Sequence, residues 1–130
     1  MLVVVGFSLF ASGSSEKPIE LVVLGTGDTV YGDTSRYKIA EEKFKADYPD
    51  VKIKYLKIDL PDGSTVTMDA MIGAGNAPNI YEDSMVRASK YMIPEYALPL
   101  QNKIRDLDKY SASELALYTR DGNLMALPLS

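Results

Sequence analysis

Leu21-Val22-Val23-Leu24 is a continuous apolar run closed by Gly25, the pattern of a strand covered on both faces. A turn-rich stretch follows, Gly25-Thr26-Gly27-Asp28-Thr29-Val30-Tyr31-Gly32-Asp33. A helix is predicted from an N-cap at Asp33 or Thr34 to about Tyr48, where Pro49-Asp50 ends it. Its apolar positions Tyr37, Ala40, Phe44 and Tyr48 recur at helical spacing, which places Lys38, Glu41, Glu42 and Lys45 on the wet side. Val51-Lys52-Ile53-Lys54-Tyr55 alternates strictly and Leu56-Lys57-Ile58 continues it with a shift, predicting a second strand. Its lysines mark an edge guarded against aggregation. After a Pro61-Asp62-Gly63 turn comes a helix from Ser64 to about Ala74, with Met68, Met71 and Ile72 on one face and Gly73 and Gly75 at its end. Asn79-Ile80-Tyr81 reads as a third short strand. Beyond it lie a helix over 84–92, a loop through Pro94 and Pro99, and a helical stretch over 111–118.

Strand–helix–strand–helix–strand in this order means βαβ units, and hence a parallel sheet with right-handed crossovers. In such sheets ligands sit at the carboxyl ends of the strands, so the loops over 25–33, 59–63 and 82–87 are the ones to watch. Residues 1–10 form an uncharged apolar run, too short to span a membrane. Followed by Ala11-Ser12-Gly13, it fits the apolar part of a secretory signal that lacks its basic start, with residues 1–15 as a signal-like segment. The alternative reading of that run is a buried first strand. The apolar segment Met125-Ala126-Leu127-Pro128-Leu129-Ser130 has no terminal punctuation, so the chain reads as cut at both ends.

Composition narrows the chemistry. The 130 residues, 46% hydrophobic and 25% charged, suit one globular domain rather than a disordered chain. Eighteen acidic against fourteen basic residues, with no basic run, argue against nucleic acid as a partner. There is no Cys, which excludes disulfides, thiol nucleophiles and Cys-ligated metals. There is no His, which removes the commonest general base and metal ligand, and with it Ser-His-Asp or Cys-His hydrolysis. The balance moves toward binding without cofactor or metal.

Two loop motifs stand against that balance. Gly25-x-Gly27-x-x-Val30 half-matches the dinucleotide fingerprint, but Val30 stands where a third small residue is needed and the helix starts too late to meet a pyrophosphate. Gly27-Asp28-Thr29-Val30-Tyr31-Gly32 looks like the Gly-Asp-Ser block of the GDSL esterases, yet no His exists to take the hydroxyl proton. Asp28, Glu82 and Asp83 form no dense ligand run for a hard cation, and Asp83 reads as a cap for the helix near Ser84. Tyr37, Tyr48 and Tyr55 read as core by pattern. Tyr31 and Tyr81 fall on ligand-side loops, where a flat ring with a polar tip can stack on a sugar face.

Four passages in order then point to a family. Phe44-Lys45-Ala46-Asp47-Tyr48-Pro49-Asp50-Val51-Lys52-Ile53 resembles the first helix-to-strand passage of the extracellular solute-binding proteins of ABC sugar importers. Ile72-Gly73-Ala74-Gly75-Asn76-Ala77-Pro78-Asn79-Ile80 is similar to that family's small-residue passage, with Asn79 where the family has Asp. Tyr96-Ala97-Leu98-Pro99-Leu100 and Asp121-Gly122-Asn123-Leu124-Met125-Ala126-Leu127-Pro128 are similar to two later elements.

The resemblance implies an α/β fold: a periplasmic-binding-protein-like lobe, a parallel sheet with helices on both faces, truncated near the first hinge crossing. Residues 16–130 would be lobe one of a two-lobed, monomeric, periplasmic or extracellular carrier. It implies a carbohydrate ligand, a membrane permease as partner and no enzymatic activity. Thr26, Asp28, Tyr31, Tyr81, Glu82 and Asp83 would present hydrogen-bonding groups and stacking rings to the sugar. With half the cleft missing, the 130-residue chain is expected to bind sugar weakly or not at all. The rival classes are a stand-alone α/β enzyme, carboxylate-based or esterase-like, and a pure interaction module.

Overall fold

The computed structural model describes residues 2–4, 18–25, 36–58 and 65–128. In chain order their elements are β1 (Leu2–Val4), β2 (Glu20–Gly25), α1 (Arg36–Asp47), β3 (Lys52–Lys57), α2 (Met68–Gly73), β4 (Ile80–Glu82), α3 (Met85–Ala88), α4 (Ala112–Leu117), β5 (Thr119–Arg120) and β6 (Asn123–Leu124). Short 3-10 turns occupy Ser89–Tyr91 and Leu107–Lys109. Two compact units divide the chain, one of Phe7–Asn79 and one of Met1–Gly6 with Ile80–Ser130.

In the unit of Phe7–Asn79, β2 and β3 pair in parallel, from Glu20 opposite Lys52 to Gly25 opposite Lys57. The ladder is extended at both ends, where Lys52 N–H donates to Ile19 O at 2.8 Å and Ile58 N–H to Gly25 O at 3.0 Å. Neighbours along a strand face opposite sides, and Val23 and Leu24 are both buried, so this part of β2 is covered on both faces as its apolar run predicts. Among the described residues β3 pairs with β2 alone, and Lys52 and Lys54 are exposed, which fits the guarded edge.

Helix α1 departs from its pattern. Tyr48, expected in the core, is 55% exposed, and Ala40 is exposed as well. Among the described side chains the inward ones are Phe44 and Glu41, the latter expected on the wet side, and Tyr37, expected in the core, has its side chain outside those described. Tyr55 of β3 explains the change: its hydroxyl donates to Glu41 Oε2 at 2.9 Å. Glu41 also pairs with Lys45 one turn on, and these two partners hold its carboxyl below the usual range, the Lys45 contact contributing most. Tyr48 stacks on Phe44 instead, with ring centroids 4.9 Å apart.

Helix α2 begins at Met68, later than its predicted start at Ser64, which lies outside the described residues. The delay has a local cause. Val66 N–H donates to Ile58 O at 2.7 Å, so the chain is still tied to the end of β3. Thr67 then caps the helix by accepting from Ala70 N–H at 3.1 Å. At the other end Gly75 N–H reaches Ile72 O and Asn76 N–H reaches Met71 O, the paired bonds of a left-handed stop. Gly75 takes φ 71°, a value that glycine adopts without a Cβ penalty.

Asn79 acts as a one-residue strand beside β2. Its N–H donates to Val22 O and its Oδ1 accepts from Val22 N–H, both at 2.8 Å. Only the acceptor oxygen of the side chain is used, and an aspartate carries the same oxygen. Asn79→Asp is therefore expected to leave stability within about 0.5 kcal/mol, while Asn79→Ala strands the Val22 amide and costs about 1–2 kcal/mol in chemical denaturation. Equal losses for the two variants would contradict this account of the position.

In the other unit, β1 pairs antiparallel with β4, Leu2 opposite Glu82 and Val4 opposite Ile80. Residues 2–4 thus take the strand form that was the alternative reading of the first apolar run, and they add an antiparallel pair to the parallel one expected. The helix predicted over 84–92 forms in two pieces, α3 and the 3-10 turn Ser89–Tyr91. Ser111 opens α4 with a full capping box, accepting from Glu114 N–H while Glu114 Oε2 accepts from Ser111 N–H at 2.9 Å. Asp121 and Gly122, at φ 49° and 78°, turn β5 into β6 with the positive φ pair that a two-residue hairpin turn demands. Leu100, Leu124 and Leu127 form the buried cluster beneath these elements, flanked by Ile104, Leu107, Tyr110, Leu115 and Tyr118.

Candidate functional site

Three of the six sequence-predicted ligand residues, Thr26, Asp28 and Tyr31, lie outside the described residues. Tyr81, Glu82 and Asp83 are brought together at the carboxyl end of β4, the sheet position at which ligands of α/β folds collect. All three are buried, each 5% exposed or less.

The polar atoms here satisfy one another. Tyr81 hydroxyl donates to Asp83 Oδ2 at 2.6 Å, and Ser84 N–H donates to Asp83 Oδ1 at 2.6 Å. Arg87 Nη2 lies 2.7 Å from the same Oδ1. The expectation that Asp83 caps the helix needs correction: Ser84 holds the cap position, and Asp83, one residue earlier, accepts from that residue's own N–H. Alternation along β4 sends Tyr81 and Asp83 to the same side, which is what lets a phenol two residues upstream reach the carboxylate.

Tyr81 lies in β4 itself rather than on the loop after it, and its ring packs edge-on against Tyr91 at 5.5 Å. Tyr91 in turn meets Tyr96 at 5.9 Å, and Lys90 Nζ stands 4.8 Å from the Tyr91 ring centre. Burial, followed by the hydrogen bond to Asp83 and that residue's charge, pushes the Tyr81 phenol far above its ordinary value of 10.0. The phenol thus serves as a hydrogen-bond donor to Asp83.

Arg87 was not singled out in the sequence. Its signal was the Asp83-x-x-x-Arg87 spacing, which places opposite charges one turn apart once a helix starts between them. Its side chain is 55% exposed, against 1% for that of Asp83. Among the described residues no cluster of three carboxylates fits a metal ion.

A concavity lies in the unit of Phe7–Asn79. It is an open cleft of about 670 Å³ along β2, β3 and α2. Val22, Leu56, Val66 and Met71 supply apolar walls, and Glu20 and Lys54 add charge of both signs. Among the described residues, none of the sequence-predicted ligand residues lines it.

Neither a protein-family model nor a curated protein matches this chain. A solved structure, CpMnBP1 with mannotriose bound, matches it over 85% of its length at a TM-score of 0.52 and 17% sequence identity. The chain spans 28% of that protein's length. At this identity the likeness establishes the fold alone, an α/β arrangement shared with part of that protein, in agreement with the α/β architecture read from the sequence.

Proposed function

We propose that this chain is a carbohydrate-binding lobe of the substrate-binding component of an ABC importer, secreted to the periplasm or cell exterior. A second lobe would close on the sugar by hinge motion, and the closed form would dock on a membrane permease. No bond is made or broken in this role, which suits a chain without His or Cys. The observation that carries the proposal is the fold shared with a protein whose structure holds mannotriose.

One lobe covers one side of an oligosaccharide, so affinity is expected at about 1 mM or weaker, near 4 kcal/mol of binding free energy. The test is a titration of the isotope-labelled 130-residue chain with mannotriose, followed by amide chemical shifts. Saturable shifts in the 82–88 segment support the reading. Unchanged spectra with mannotriose and with a panel of other neutral oligosaccharides would remove it.

A further inference from the structure

The groups at the carboxyl end of β4 are unequally available. The Asp83 carboxylate is 1% exposed, and its two oxygens already accept from Tyr81, Ser84 and Arg87. The Tyr81 hydroxyl is spent on Asp83, and Glu82 is 5% exposed. None of the three described residues among the six expected to face a sugar therefore offers it an open polar atom. Arg87 does. Its guanidinium reaches back one helical turn to Asp83, which sets it over the strand end, and more than half of its side chain meets solvent. A guanidinium carries five N–H donors in a rigid plane, and the contact with Asp83 engages one terminal nitrogen.

We infer that Arg87 is the ligand-contacting, specificity-determining group of this strand end, and that Asp83, locked by Tyr81 and Ser84, is the positioning residue that aims it. This inference rests on the carbohydrate-binding reading and names the donor through which it acts. The ligand class follows from the charges. Between Glu82 and Arg87 two carboxyl groups accompany one guanidinium, so the site carries no surplus positive charge to attract an acidic sugar. Donors without net positive charge fit the hydroxyl and ring oxygens of a neutral oligosaccharide.

The measurement is the same mannotriose titration, read at the Arg87 Nε–H signal and repeated with Arg87→Ala, Arg87→Lys and Asp83→Asn. Arg87→Ala leaves Asp83 with two partners, so the fold is expected to persist and the affinity to fall about tenfold, the loss of one charge-assisted hydrogen bond. Arg87→Lys keeps the charge without the planar fork and is expected to recover only part of that loss. Asp83→Asn is expected to weaken binding while Arg87 remains, with its Nε–H signal broadened by lost orientation. Glucuronic acid oligomers are expected to bind no better than mannotriose. Mannotriose shifts elsewhere in the chain, with Arg87 silent and Arg87→Ala binding as tightly as the parent, would overturn the inference and leave the carbohydrate reading standing. No sugar-dependent shift anywhere would end both.

Discussion

Leu100→Ala is expected to lower the free energy of unfolding by about 3–5 kcal/mol. Leu100 is 1% exposed and sits where Leu124, Leu127, Ile104 and Leu107 converge, so its truncation removes apolar burial and leaves a void that its neighbours fill only in part. The backbone around it is fixed independently: Leu100 N–H donates to Leu124 O at 2.7 Å, and the Gln101 side chain accepts from Leu124 N–H and donates to Asn123 Oδ1. These bonds prevent the chain from sliding inward to close the hole, which places the cost toward the upper part of the range. Against a total stability of about 5–15 kcal/mol, such a loss shifts the denaturant midpoint markedly with little change in slope. Leu117→Ala, in the same unit but 60% exposed, is the control and is expected to change stability by less than about 0.5 kcal/mol. Similar effects of the two substitutions would mean that the leucine cluster is not a packed core.

The second large effect belongs to Asp83. Asp83→Ala withdraws the acceptor of a buried phenol, of the Ser84 amide and of the Arg87 guanidinium at once. Arg87 is exposed enough to be rehydrated, so the cost comes mainly from the phenol and the amide, about 2–4 kcal/mol together. The same network makes stability fall in alkali. The unfolded chain releases the Tyr81 proton from about pH 10, whereas the folded chain keeps it, so protons favour the folded state above that pH. Stability is therefore fully present below pH 10 and declines above it by up to about 1.4 kcal/mol per pH unit from this one group. Tyr81→Phe should weaken the protein at neutral pH, because Asp83 loses a donor, and flatten this alkaline slope. A Tyr81→Phe protein with an undiminished slope would show that other groups govern the alkaline limit.

The secondary structure that depends on local signals was legible. The apolar run of β2, the alternation of β3 and the Ser111-x-x-Glu114 cap of α4 each carry their physics within a few residues. Features decided by a partner distant in sequence were not legible. Glu41 turns inward because Tyr55, fourteen positions on, supplies a hydroxyl, and this turns α1 away from its apolar register. Asn79 shows the reverse case, a residue singled out only as a departure from a family pattern whose role becomes plain once Val22 is seen beside it. At the strand end the sequence reading misjudged exposure, since Tyr81, Glu82 and Asp83 are all buried. Carboxylates near a predicted loop look available, and nothing in Tyr81-Glu82-Asp83 signals that a phenol and a guanidinium have already claimed Asp83.

The pairing of β1 with β4 has a consequence for how the molecule is made. Leu2 and Glu82 stand about 80 positions apart, so during synthesis β1 waits for a much later segment to emerge before it can pair. Three residues must then find their register across a long loop, a slow step with little area to hold it. The contiguous unit of Phe7–Asn79 ends just before β4 begins, so all of it has been made by the time β4 emerges. Without β1, the backbone groups of Ile80–Glu82 that it engages would stand as an open strand edge, ready to pair with another segment.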